Sequence, residues 1–284
     1  MSTVLVTGAS GLIGNRLIHQ LKERHTVIAM SRHCPKGEGF TVVRGDFTNR
    51  EDLSQLDEHK IDAVVHLAAV TGGCIECEGI LVNVEGTRVL LQYLASHGCK
   101  KMVLASSIAA IGLQRADMVP QRLPIGDEDG CQDRDGYGFS KYLMEEVTRY
   151  LCRQKPDLDI LNIRLASTGE DTPMPKGLCS RGPWCLAGLT YMVLDDAVDL
   201  FILAVETPLK PGLRIVNGVC THAWSKVPTA EQLRHWWGNQ VDISYFEKPE
   251  NRYAAIFDTA RLKQELRFEA TRTLAILTPL QIGV

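Results

Sequence analysis

No apolar run in the 284-residue sequence approaches the length that crosses a bilayer, and the opening segment Met1-Ser2-Thr3-Val4-Leu5-Val6-Thr7 has no basic stretch ahead of an apolar one. A membrane partner is therefore not expected, and the cytoplasm is the expected location. Charge of one sign is scarce too: 31 Lys and Arg against 34 Asp and Glu leave a formal net charge of -3, which gives no drive toward nucleic acid or an anionic surface. Metal-ligand spacing is nearly missing. The 9 cysteines are odd in number and scattered through a chain large enough not to need staples, so reduced thiols are expected. Cys74-x-x-Cys77 has no second such pair and no His-x-x-x-His after it, and structural zinc wants four ligands, so no metal site is expected. Internal repeats and low-complexity linkers are absent as well. What remains is an ordinary balance of 45% hydrophobic and 23% charged residues, for which a small soluble ligand is the natural partner.

Short β-rich runs alternate with helical patterns through the first two-thirds of the chain, which predicts a parallel sheet covered by helices on both faces. Strands are predicted at Val4 to Thr7, Thr26 to Met30, Phe40 to Arg44, Ala63 to Leu67, Lys101 to Ser106, Ile160 to Arg164 and Arg214 to Asn217. Leu12 to Lys22, Ile80 to His97 and Gly138 to Cys152 carry apolar residues at three-to-four spacing, as helices packed on a sheet do. Ala166 to Pro183 is rich in Ser, Thr, Gly and Pro and reads as an irregular connection, after which an apolar helix at Asp195 to Glu206 returns to the sheet. Beyond Val219 come three tryptophans, a strand candidate at Val241 to Phe246 and a last helix near Asp258 to Leu266. The expected fold is α/β: a doubly wound parallel sheet of about seven strands over 1–165, completed by about 187–220, with a small substrate lobe from 166–186 and 221–284.

Val4-Leu5-Val6-Thr7 runs into Gly8-Ala9-Ser10-Gly11-Leu12-Ile13-Gly14, three glycines three apart between a strand and a helix. Glycine allows the turn and a close approach of pyrophosphate to the backbone, while the helix N-terminus offers unpaired N–H groups and partial positive charge. At the end of the second strand, where a carboxylate would hold the ribose hydroxyls of NAD, stand Ser31, Arg32 and His33. A guanidinium there suits a 2′-phosphate, so NADP is the preferred cofactor and NAD the other candidate, with Arg16 as a further source of positive charge.

The Gly8-x-x-Gly11-x-x-Gly14 spacing, Gly45-Asp46, His66-Leu67-Ala68-Ala69, Asn83-Val84-Glu85-Gly86-Thr87, Ser106-Ser107, Tyr137-Gly138-Phe139-Ser140-Lys141 and Leu194-Asp195-Asp196 occur in one order. Together they closely resemble the extended short-chain dehydrogenase/reductases, the NAD(P)-dependent epimerase/dehydratase family, from residue 2 to about 220. The resemblance implies a Rossmann-type fold. It implies a cofactor lined by Gly8, Ser10, Gly11, Leu12, Ile13, Gly14, Arg32, Asp46, Phe47, Leu67, Ala68, Ala69, Asn83 and Ser106, with Tyr137 and Lys141 at its reactive end. Homodimers through the helices at Ile80 to His97 and Gly138 to Cys152 are also implied.

Tyr137 and Lys141 are four apart at a helix start and so share a face. A free tyrosine has a pKa of about 10, and a nearby ammonium and the positive nicotinamide ring both favour its phenolate, which makes the pair a candidate general acid/base. Ser107 takes the family's catalytic Ser/Thr place; Ser106 competes for that role, because adjacent strand residues face opposite ways. Several positions depart from the family. Ile108-Ala109 stand where sugar dehydratases carry an acidic pair, Ile111 replaces a tyrosine, and Arg164-Leu165-Ala166 lacks the usual proline after arginine. Dehydration is disfavoured and a smaller, sugar-like substrate preferred; in size the chain resembles the family's uronate dehydrogenases. The expected activity is hydride transfer between nicotinamide and a small alcohol or carbonyl. A nucleotide-sugar epimerase is the alternative, and a non-catalytic NADP-sensing or RNA-binding relative the third reading, against which the joint presence of Tyr137 and Lys141 argues.

Overall fold

A computed structural model describes residues 1–132, 134–170 and 184–272. In chain order come β1 (Thr3–Thr7), α1 (Leu12–Leu21), β2 (Thr26–Ser31), β3 (Thr41–Arg44), α2 (Arg50–Leu53), β4 (Ala63–His66), α3 (Glu76–Gly79), α4 (Thr87–Ser96), β5 (Lys101–Ser107) and α5 (Gly136–Gln154). They are followed by β6 (Asp159–Leu165), β7 (Thr168–Gly169), α6 (Leu186–Leu189), β8 (Met192–Val193), α7 (Leu194–Glu206), β9 (Gly212–Gly218), α8 (Thr229–Trp237), α9 (Ser244–Glu247) and α10 (Ala260–Leu266).

Seven strands pair in the order β3-β2-β1-β4-β5-β6-β9, every neighbour parallel. The seven strand candidates all belong to this sheet, with ends within two residues of those expected. The period-2 pleat divides their apolar side chains between two cores. Val4 and Val6 of β1, Val65 of β4 and Val103 of β5 face one core, shared with α1 and α7; Leu5, Val64, Met102 and Leu104 face the other, shared with α4 and α5. Each fully buried side chain of this kind contributes about 1.5–3 kcal/mol. Because strand order reverses between β1 and β4, a crevice opens there at the carboxyl ends of the strands. At the opposite rim Asp159 is buried between Lys101, 3.7 Å away, and Arg214. Among the described residues no helix is long and apolar enough to cross a membrane. Cys34, Cys74, Cys77, Cys99, Cys152, Cys185 and Cys220 are free thiols.

Several elements differ from the sequence reading. The helix expected from Ile80 begins at Glu76 and has a wider, π-helical turn over Ile80–Gly86 before α4. Val241 to Phe246 is not a strand: the Asp242 carboxylate accepts the Ser244 N–H at 2.9 Å and starts the α9 turn, which brings Ile243 and Phe246, three apart, onto one buried side. The paired β7 and β8 were not foreseen. Leu233, Trp237, Phe246 and Leu262 from the C-terminal part join the same core as Val4 and Val103, so the lobe packs on the sheet without a core of its own. Residues 171–183 and 273–284 of the expected lobe lie outside the described residues.

Candidate active site

The glycine-rich turn follows directly from β1. Gly8 takes a φ of 69°, and a Cβ there would stand 2.7 Å from the Ala68 nitrogen. A Cβ on Gly14 would lie 2.3 Å from the Gly8 carbonyl oxygen, so only glycine lets α1 approach the turn. Gly11 precedes α1 in extended conformation, with no side chain capping the first amides. These donors therefore face a cleft of about 410 Å³ at the topological switch. Of the residues expected to bind the cofactor, Gly8, Ser10, Gly11, Leu12, Ile13, Gly14, Arg32, Asp46, Phe47, Leu67, Ala68 and Ala69 line this cleft. Thr7, Met30, His33, Gly45, Val70, Thr71, Val82, Ala105 and Thr168 line it too and were not singled out as contacts; most are wall positions marked by no motif.

Packing explains how several of these side chains are held. Ser10 and Ser31 hydroxyls meet at 2.7 Å across the mouth. One Asp46 carboxylate oxygen accepts the Thr48 N–H at 3.0 Å and hydroxyl at 2.8 Å, which orders the turn after β3. Arg32 is exposed on the cleft wall, with no carboxylate beside it on β2. Arg16 does not reach the cleft: it lies in an adjoining groove between Glu170 at 4.0 Å and Asp195 at 3.8 Å, which balance the charge it was expected to add.

The His66 side chain carries no signal of its own in the sequence. Its buried ring lies between the Thr7 hydroxyl at 2.7 Å and the Thr87 hydroxyl at 3.0 Å, tying β1, β4 and α4 together beneath the cleft. Burial, helped by Lys141, pushes its pKa down to about 3, so the ring is neutral.

Behind Ala105 of the cleft wall packs α5, whose N-cap Asp135 accepts the N–H groups of Tyr137 and Gly138, both at 2.9 Å. Gly136 is obligatory there, since a Cβ would come within 2.7 Å of the Glu76 backbone. One turn apart on one face, Tyr137 and Lys141 come together, with the ammonium 6.0 Å from the phenol ring centre. Lys141 is buried and donates to the Ala105 carbonyl at 2.8 Å; Ala105 itself lines the cleft. Burial lowers the Lys141 pKa to about 8, while Glu145 and then Cys74 push it up. Burial raises the Tyr137 pKa, and the Ser107 hydroxyl opposite pulls it back down. The phenol is therefore protonated in this state. At this separation burial outweighs the Lys141 ammonium; the expected phenolate counts also on the positive nicotinamide ring.

Ser107 and Ser106 separate as strand alternation requires. The Ser107 oxygen accepts the Ala109 N–H at 3.1 Å and faces Tyr137, whereas the Ser106 hydroxyl turns into the core and donates to Glu145 at 2.6 Å. Ser106 thus directs no side chain at the cleft. Nor does Asn83: both its amide protons are used, toward the Val70 carbonyl at 3.0 Å and the Ser140 hydroxyl at 2.9 Å, and its oxygen accepts the Val70 N–H at 2.9 Å. Asn83 fixes the cleft wall to the first turn of α5, since the Ser140 hydroxyl in turn donates to the Tyr137 carbonyl at 2.7 Å. Ile108, Ala109 and Ile111 are buried and apolar, leaving no acid directly behind Ser107.

The bare cradle constrains Gly14 strongly. Gly14→Ala drives a methyl into backbone that has no room to move, and we expect a loss of about 1–3 kcal/mol in stability, read by urea unfolding. Nicotinamide dinucleotide affinity should fall at least about tenfold in a fluorescence titration, since the same atoms shape the anion cradle.

A glycine turn opening α1 at the switch point of a doubly wound parallel sheet defines a Rossmann-type dinucleotide-binding fold. The chain belongs to the NAD dependent epimerase/dehydratase family, which residues 4–170 match. The UDP-glucose 4-epimerase of Drosophila melanogaster is 30% identical over 187 residues, covering 57% of this chain and 52% of that protein. The chain spans about half the length of the curated relatives it matches. A short-chain dehydrogenase/reductase superfamily protein from Agrobacterium tumefaciens, solved with bound NAD, has a TM-score of 0.71 at 20% identity over 98% of this chain and 96% of its own. UDP-glucose 4-epimerase from Bifidobacterium longum, solved with NAD+ and UDP, has a TM-score of 0.69 at 21% identity, with 100% of both chains covered.

Proposed function

We propose that the protein is an NAD(P)-dependent oxidoreductase acting on a small, sugar-like alcohol or carbonyl, with Tyr137 as general acid/base. One observation carries this reading: Tyr137, Lys141 and the Ser107 hydroxyl converge, and Lys141 is bonded to Ala105, a residue of the glycine-cradled cleft wall. The bare backbone at Gly8 and Gly14 and the uncapped α1 amides fit a pyrophosphate. A nicotinamide bound there would supply the site that accepts or gives hydride. Ser107 would hold the substrate oxygen by hydrogen bonding. In reduction the protonated Tyr137 would give its proton to that oxygen as hydride reaches carbon; in oxidation Tyr137 would first release its own proton to solvent and, as phenolate, take the proton from the alcohol. Lys141, held by Ala105, keeps positive charge near the phenol and would bind the ribose of the cofactor. The lobe beyond β9, with residues 166–186, is the part we assign to substrate. We also infer a homodimer through α4 and α5, on whose side Leu81, Phe139 and Tyr150 are exposed apolar residues.

A nucleotide-sugar epimerase, using the same three residues with no net redox change, is favoured by the sequence similarity to UDP-glucose 4-epimerases. Reduced cofactor absorbance with a panel of aldehydes, ketosugars and sugar acids separates the two: steady turnover supports the oxidoreductase, and interconversion of UDP-sugars without absorbance change supports the epimerase.

Cofactor choice rests on Arg32. With Ser31 where an acidic residue would mark NAD, NADPH should bind more than about tenfold tighter than NADH, and Arg32→Ala should remove most of that gap. Equal affinities in the unmodified protein would assign NAD.

A further inference from the structure

Beneath the proposed catalytic residues lies a buried ion pair that the mechanism above does not use. Glu145 and Arg164 are 1% and 2% exposed. Arg164, on β6, grips both Glu145 oxygens, Nε to Oε1 at 2.9 Å and Nη2 to Oε2 at 2.8 Å, while its Nη1 donates to the carbonyls of Asp127 at 3.0 Å and Asp129 at 3.4 Å. A buried pair of this kind contributes little stability over apolar groups of the same shape, so stability alone does not account for charge here.

Its position in α5 suggests another role. Tyr137, Lys141 and Glu145 are spaced four apart and share one helix face against the end of β5. Lys141 takes the Ala105 carbonyl, Glu145 takes the Ser106 hydroxyl at 2.6 Å, and Ser107 faces Tyr137. Three consecutive strand residues are thus engaged by three successive turns of one helix. Since neighbouring strand side chains point to opposite sides, fixing the Ser106 hydroxyl fixes the roll of the strand end and with it the direction of Ser107.

We propose that Glu145, oriented by Arg164, is a positioning residue for the Tyr137, Lys141 and Ser107 site: it locks the end of β5 against α5 and supplies the buried negative charge behind the Lys141 ammonium. The inference rests on the functional reading above. Four titratable groups interact with or flank Lys141: Tyr137 and Glu145 on its own helix, Cys74 in the turn before α3, and His66 on β4. His66 is neutral, and burial and nearby carboxylates hold the Cys74 thiol protonated. Glu145 is therefore the carboxylate that favours the charged lysine against the cost of burial.

The test reads Lys141 directly, without substrate or cofactor. Protein labelled with 13C at lysine Cε is titrated by NMR, with the Lys141 resonance assigned by its loss in Lys141→Arg. Lys141 should titrate near 8 in the unmodified protein. In Glu145→Gln, and in Glu145→Gln combined with Arg164→Met, which leaves no unpaired buried charge, the midpoint should fall by at least about one unit. For whatever substrate the panel identifies, kcat should fall at least about tenfold with KM within about threefold, and the pH profile should move in the same direction as the NMR midpoint. An unchanged Lys141 midpoint in the folded double variant overturns the proposal, and a double variant that does not fold assigns the pair to stability and overturns it as well. Failure of the catalytic reading would appear separately, as undiminished turnover in Tyr137→Phe.

Discussion

Tyr137→Phe is expected to fold, to bind nicotinamide cofactor with near-normal affinity and to turn over at least about a hundredfold more slowly, the scale of a lost general acid/base. The substitution removes one oxygen and keeps the ring. Its backbone anchors stay: the Asp135 cap on the Tyr137 N–H and the Ser140 hydroxyl on its carbonyl do not involve the phenol. Cofactor affinity should hold because the glycine cradle and Lys141 are untouched. Circular dichroism and a cofactor titration establish the first two points, and steady-state rates the third. Since burial keeps the phenol protonated, the unmodified protein should enter the proposed reduction with its proton already in place. Turnover in Tyr137→Phe equal to that of the unmodified protein would mean that the proton travels by another route.

The second large effect is on acid stability and comes from His66. Its pKa is about 3 in the folded chain against 6.5 for an ordinary histidine, so below 6.5 the unfolded chain takes up a proton that the folded one refuses. Stability is therefore complete above that value and is lost as pH falls, by up to roughly 4 kcal/mol as the folded value is approached. Asp127 acts with the opposite sign: burial raises its pKa from 3.8 to about 6, so the folded chain binds its proton more readily and gains stability over the overlapping window. The overall acid profile of the unmodified protein thus partly hides both groups. His66→Gln isolates one of them, since glutamine does not titrate and can still reach the Thr7 and Thr87 hydroxyls. Relative to the unmodified protein it should gain about 2 kcal/mol between about pH 7.5 and about pH 5 in urea unfolding. A constant difference across that range would mean that His66 titrates normally.

Legibility from sequence followed the range over which each signal acts. The β1 strand, its three glycines and α1 are contiguous, so the cradle was readable from Val4 to Gly14, and the parallel sheet followed from the alternation of apolar runs with amphipathic helices. Tyr137 and Lys141 were readable because four residues make one helical turn. By contrast Ser106, Asn83 and Glu145 are defined by partners 39, 57 and 19 positions away, the first two in α5 and the third in β6, and no local pattern announces those contacts. The same distance hid His66, whose two hydroxyl partners belong to other elements. At Val241 to Phe246 alternation suggested a strand, but one aspartate side chain capping a turn decided the local conformation. The α8 helix was missed because its signal is weak: it follows Pro228 and buries Leu233 and Trp237, four apart, on a short element.

The uniform direction of the seven strands has a practical corollary for anyone handling the protein. All the groups discussed as chemistry gather at one rim, while the connections at the other rim, such as 97–100 between α4 and β5 and 155–158 between α5 and β6, stand a full strand away. For β5, with 7 residues rising about 3.3 Å each, that is roughly 20 Å. Lys100 and Asp157 pair in the open there, outside the buried Lys101, Asp159 and Arg214 cluster that seals the sheet beneath them. A dye, an immobilising linker or an inserted affinity sequence is best attached at this back edge, where it leaves the working edge facing the solution.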